Sequence, residues 1–224
     1  MIRRDYILRM IEQFFQVLAR LKGLKQGQLW EQAGGVVEDE FQRLIGLGPE
    51  AVVRLSETEL LARVMQGEPT QVVRQKTLMV TTLLKEAGDA AVGQGRESEG
   101  RAYYLKGLHL LLQTLVAGDA ADCPAFVPGL EVFTAALAGA PLPLETQARL
   151  MQHYEQAGDF AKARDALVAL VKSAPDQPGV VEFGIAFYQR LQNRSDDQLT
   201  LGGLPREQLE ASLADLRRGA LRTR

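Results

Sequence analysis

Few side chains in this sequence can do metal or covalent chemistry. There is one cysteine, Cys123, and there are two histidines, His109 and His153. Three such residues cannot supply the four Cys/His ligands of a structural zinc site, and one thiol cannot close an internal disulfide. The histidines stand 44 positions apart, and neither belongs to a His-Glu-x-x-His helix pattern, so no metal ligand is expected. Cys123 as a nucleophile would need a base such as His109 or His153 beside it; preceding Pro124, it reads instead as a small buried apolar residue. The carboxylate pairs Glu38 with Asp39 and Glu155 with Asp159 could do acid/base work only in a dry cleft that perturbs their pKa values. Gly93, Gly95 and Gly100 lack the Gly-Lys-Ser/Thr of a phosphate loop and read as a polar turn between helices. No catalytic residue, no cofactor and no metal is therefore expected.

The elements that must carry these residues are helices. Apolar positions recur at three and four along most of the 224 residues, and sustained alternation at two is hard to find, which predicts an all-α fold. A first helix over about 5–22 puts Ile7, Met10, Ile11, Phe14, Val17, Leu18 and Leu21 on one stripe, with Leu8 and Phe15 off it. That second apolar side predicts contact with another helix or with a partner chain, and Leu8 and Phe15 are the expected dimer face. A second helix over 28–47 is weakened by Gly34 and Gly35, where a bend or break is expected. Ser56 with Glu59 has capping-box spacing ahead of a short helix. Two longer helices follow over about 69–92 and from Tyr103 to Leu115; the second, apolar nearly all round and carrying His109, should be central.

Composition excludes several classes. Hydrophobic residues make up 46% of the chain and charged residues 24%, the profile of a folded globular protein. No uncharged run reaches the ~20 residues that a membrane span needs. Arg3 and Arg4 resemble the start of a twin-arginine leader, but Asp5, Arg9 and Glu12 interrupt any apolar core, and a cytoplasmic protein is expected.

The clearest internal unit runs over 144–177. Leu150 and Tyr154 lie in its first helix, Gly158 and Asp159 at a tight turn, Phe160, Ala163, Leu167 and Leu170 in its second helix, and Pro175 at its end. Gly158 suits a left-handed turn, Ala163 a close helix approach and Pro175 a stop. This pattern resembles a 34-residue tetratricopeptide repeat. Pro141, Phe133 and Ala136 stand 34 positions before Pro175, Leu167 and Leu170, which suggests a preceding unit, while Val180 to Leu191 would begin a third or cap the stack. Met151 and Leu170 are larger than the repeat usually has there. Lys25 to Ala33, with Gly27 and Trp30, loosely repeats the hairpin pattern. The opening residues Met1 to Ile7, with Arg9, Ile11, Glu12 and Gln13, are similar to the start of an uncharacterised bacterial family of tetratricopeptide-like proteins.

The resemblance implies stacked antiparallel helical hairpins, a right-handed α-solenoid, with a helical N-terminal region over 1–95, hairpins over 96–194 and a C-terminal helix and basic tail over 195–224. It also implies a protein-protein interaction module that holds a peptide or protein segment in a groove lined by the first helix of each hairpin. In the best unit those positions are Glu145, Ala148, Arg149, Gln152, Glu155 and Gln156, with none of the Lys, Asn and Arg that clamp a terminal carboxylate. An unidentified protein or peptide partner and a homodimer are expected, without membrane or nucleic acid. Net charge is only -2, yet residues 1–25 hold six bases against two acids and residues 31–70 hold eight acids against three bases. Complementarity between these segments is one expectation. The alternatives are RNA binding or regulation through the basic ends, including Arg217, Arg218, Arg222 and Arg224, and behind that an enzyme of unknown type.

Overall fold

The computed structural model describes residues 2–116, 123–139, 141–175 and 177–222. Among the described residues there are twelve helices and no strand, in accord with the all-α expectation. The chain divides into two compact units, residues 1–139 and 140–224. The boundaries expected from sequence, at 95/96 and 194/195, differ from this division. Residues 95 and 96 fall in the turn of one tightly packed helical hairpin, which keeps both of its arms in the first unit.

The first unit contains α1 (Ile2–Gln26), α2 (Trp30–Ile45), α3 (Pro49–Arg54), α4 (Glu57–Met65), α5 (Thr70–Gly93), α6 (Glu97–Val116) and α7 (Leu130–Ala136). Its centre is α5, which packs against α1, α2, α4 and α6. Three threonines survive burial there because each hydroxyl donates to the carbonyl four residues back: Thr77 to Val73 O at 2.8 Å, Thr81 to Thr77 O at 2.9 Å and Thr82 to Leu78 O at 3.0 Å. A hydroxyl satisfied within its own helix leaves no orphan donor in the core, so the β-branched cluster packs as apolar volume. The expected centre, α6, is the other arm of the hairpin with α5, and it buries Tyr103, Tyr104, Leu108 and Leu110 to Leu112.

Helix α2 runs unbroken through Gly34 and Gly35. Its buried face, Ala33, Val36, Val37, Phe41 and Leu44, joins the core around α5, and that packing outweighs the ~1 kcal/mol weakness of each glycine. The Gln94 amide, in the turn after α5, also reaches back to donate to Trp30 O at 2.9 Å. The capping box at Ser56 and Glu59 is complete, with Glu59 N donating to Ser56 Oγ and Ser56 N to Glu59 Oε2. Phe133 and Ala136 lie in α7, which packs on α6 inside the first unit.

The second unit contains α8 (Leu144–Gln156), α9 (Phe160–Ser173), α10 (Pro178–Gln192), α11 (Asp196–Leu201) and α12 (Arg206–Arg222). Helices α8 and α9 form a hairpin, and α10 packs on α12. Met151, Phe160, Ala163, Leu167, Phe187, Tyr188, Leu199 and Leu209 form its core.

Candidate functional site

In the second unit the α8–α9 turn is built as its sequence suggests. Gly158 has φ +78°, a left-handed conformation that an L side chain adopts only under strain. Asp159 caps α9, its carboxylate accepting from Lys162 N at 3.2 Å and pairing with Lys162 Nζ at 2.6 Å. Burial lifts the Asp159 carboxyl, but the Lys162 hydrogen bonds prevail and hold it below the ordinary aspartate value.

Against this turn lies the end of α11. Ser195 and Gln198 form a second capping box, and Leu199 is buried beneath. The chain turns at Gly202 and Gly203, where Gly202 O accepts from Ala161 N at 2.9 Å. A side chain at Gly202 would collide with the Phe160 ring and Gly158 O, so this approach demands glycine. Between the two turns is a cleft of about 600 Å³ lined by Glu155, Gln156, Asp159, Arg194, Gln198 and Leu201, among others. Leu201 is 92% exposed at its edge. Among the described residues the Arg194 guanidinium has neither an ion pair nor a hydrogen bond.

The groove residues expected on α8 do not share one environment. Gln152 and Gln156 are exposed, whereas Arg149 pairs with Glu145 at 2.6 Å. Glu155 accepts two hydrogen bonds from Arg190 of α10, from Nε and Nη2, both at 2.7 Å. Of the six positions, two thus hold each other, a third holds α10 and Ala148 packs on the core, leaving Gln156 as a polar group in the cleft lining and Gln152 exposed on α8. Sequence reasoning does not reach Arg194, Gln198 and Leu201; the Ser195-x-x-Gln198 spacing, a capping-box signal, could have placed α11 and its wall of the cleft.

In the first unit Leu8 is 49% and Phe15 48% exposed, seven positions apart on one side of α1. The Phe15 ring also meets Phe126 edge-on, with centroids 5.8 Å apart, so this face is partly covered by its own chain. Lys25, in the basic N-terminal stretch, pairs with Glu86 at 2.5 Å and with Asp89 at 2.7 Å on α5, outside the acidic stretch at 31–70. Arg3, Arg4, Arg222 and Arg224 lie outside the described side chains.

Both histidines singled out for chemistry have structural neighbours. His109 Nδ1 lies 3.1 Å from Glu57 Oε1, and Lys106 donates to Leu55 O and approaches the same carboxylate at 3.4 Å. Burial raises the Glu57 carboxyl, while the His109 hydrogen bond and the Lys106 charge bring it below its usual value, so it is an ionised clasp between α4 and α6. His153 is lowered by burial beside Tyr154. Cys123 is a free, partly buried thiol packed against the first core. Glu38 and Asp39 are exposed. Among the described residues no three His, Cys, Asp or Glu side chains group as a metal site, and no helix is long and apolar enough to cross a membrane.

A family model described as a family of unknown function (DUF6483) matches residues 1–220. No curated protein and no solved structure matches the chain.

Proposed function

The chain belongs to the family of unknown function DUF6483, and from that premise we propose that it is a protein-interaction module without catalysis of its own, an adaptor or scaffold. Its second unit takes a peptide or protein segment across the exposed face of α8 and into the adjoining cleft. The observation that carries this reading is the Glu155–Arg190 pair, which joins α8 to α10 across 35 positions. In a tetratricopeptide-like reading, α8 with α9 and α10 with α12 are consecutive hairpins, and the pair ties their first helices one repeat apart. Those are the helices that line the binding groove in such stacks. The exposed Leu201 supplies an apolar anchor, and Gln152, Gln156 and Arg194 supply free polar groups for orientation. We place this adaptor in a bacterial cytoplasm.

Homodimerisation through α1 is the second reading, supported by the exposed Leu8 and Phe15.

The test is affinity capture from a lysate of the source organism, comparing the wild-type protein with a Gln152→Arg, Leu201→Asp variant whose circular dichroism is unchanged. A protein retained by the wild type, lost by the variant and cross-linked to α8 or α11 supports the reading. Equal capture by both proteins, or cross-links confined to the first unit, overturns it.

A further inference from the structure

The first unit holds a second cavity, distinct in chemistry from the cleft above. Positions 6, 9, 10 and 13 fall on one face of α1 by helical spacing. Tyr6, Arg9, Met10 and Gln13 meet Arg43 and Leu44 of α2 and Lys76 of α5 around a pocket of about 190 Å³, several times the ~30 Å³ that one water occupies. Met10 and Leu44 are buried and form an apolar floor. Three cationic side chains from three helices line the walls, and no carboxylate does.

Two carboxylates orient two of the cations. Glu40, itself buried, receives the Arg43 fork from Nε at 2.8 Å and Nη2 at 2.5 Å, while Arg43 Nη1 donates to Gln13 Oε1 at 3.2 Å. Glu68 holds Lys76 at 2.5 Å. Each cation keeps donors beyond those bonds: an ammonium has three and a guanidinium five. Arg9 has neither an ion pair nor a hydrogen bond among the described residues. Two of the three cations have a carboxylate partner and the lining itself carries none, so the donors outnumber the acceptors paired with them. A space of this kind selects an anion with several acceptor oxygens, since one acceptor cannot serve donors arriving from three helices.

We propose that this pocket binds a single phosphate group, with Arg9 as the principal ligand and Arg43 and Lys76 as pre-oriented supports. The group is either free inorganic phosphate or the terminal phosphate of a small monoester; the pocket is sized for one such group and its near surroundings.

The test is calorimetric titration of the full chain with inorganic phosphate and, separately, with phenyl phosphate, at ionic strength held constant with sodium chloride. We expect saturable one-to-one binding that Arg9→Gln weakens by about tenfold or more and Arg9→Lys partly restores. Arg54→Gln, on the exposed surface of α3 and outside both pockets, should leave it unchanged. Equal affinity for the two probes assigns the site to the free ion, and tighter phenyl phosphate assigns it to a monoester. Absence of saturable binding with both probes, or undiminished binding by a folded Arg9→Gln protein, overturns the proposal.

Discussion

Glu155 and Arg190 share two parallel 2.7 Å hydrogen bonds although 35 positions separate them. The Glu155 side chain is mostly buried, whereas Arg190 is half exposed. The forked geometry fixes both groups, but solvent at the arginine weakens the attraction. A double-mutant cycle with Glu155→Gln and Arg190→Ala is therefore expected to give a coupling of about 1 kcal/mol in urea unfolding. Hydrogen exchange should quicken first at the C-terminal ends of α8 and α10. Additive single-variant effects would show that the pair contributes nothing to holding these helices together.

Acid sensitivity should arise in the first unit. Asp89 accepts from Lys25 at 2.7 Å, Lys85 at 2.8 Å and the Tyr104 hydroxyl at 2.9 Å. Burial lifts its carboxyl, but the hydrogen bonds and charges of Lys25 and Lys85 prevail, and the group titrates below its ordinary value of 3.8. With a depressed folded pKa, its stabilisation is complete above the unfolded value and is lost as pH falls through the folded one. Chemical denaturation between pH 7 and pH 3 should show stability falling most steeply below about pH 4. Asp89→Asn should cost about 3 kcal/mol near neutrality and flatten that fall.

The two glycines of the turn cleft should respond unequally. Alanine at Gly158 meets open space and suffers only the left-handed backbone, about 1 kcal/mol. At Gly202 the added carbon meets the Phe160 ring and Gly158 O, for which about 2 kcal/mol is expected. Urea midpoints at equal m-values check the order; the reverse order would mean that the α11 end does not press on the α8–α9 turn.

Leu201 separates stability from binding. Because it is almost wholly exposed, Leu201→Asp should change unfolding free energy by less than about 0.5 kcal/mol. On the proposed function it should nevertheless abolish capture of a partner at the cleft. A stability loss above that range would mean that the side chain is packed.

Self-association is measured by light scattering across a concentration series. On the second reading, the wild-type protein is expected to dimerise and Phe15→Glu to be monomeric. Its contact with Phe126 predicts a small accompanying loss of thermal stability. A wild-type monomer at all concentrations would exclude α1 as a dimer face.

Much of the helical order is legible in the sequence because its signals are local. Ser56 with Glu59 marks a helix start, and Gly158, Asp159 and Phe160 mark a turn, each through a motif within four residues. Short helices escape for the opposite reason: α3 and α7 have six and seven residues, too few for a 3.6-residue period to declare itself. The break expected at Gly34 and Gly35 fails because tertiary burial of Val36, Val37 and Phe41 overrides propensity. On α8 the exposed positions are legible from periodicity, but periodicity cannot reveal that Glu155 is engaged by Arg190. The cleft depends on Gly202 reaching the α8–α9 turn from about forty positions away, a pairing that leaves no periodic trace.

The link between Lys25 and Asp89, 64 positions apart, bears on the order in which the chain is made. Helix α1 leaves the ribosome before α5, yet Met10, Phe14 and Leu21 belong to a core whose centre is α5. Until that helix emerges, the apolar seam of α1 has no native cover. At a synthesis rate of about 5–20 residues per second, the nascent chain carries this exposed stripe for several seconds. During that interval the uncovered stripe is open to aggregation or to capture by a chaperone.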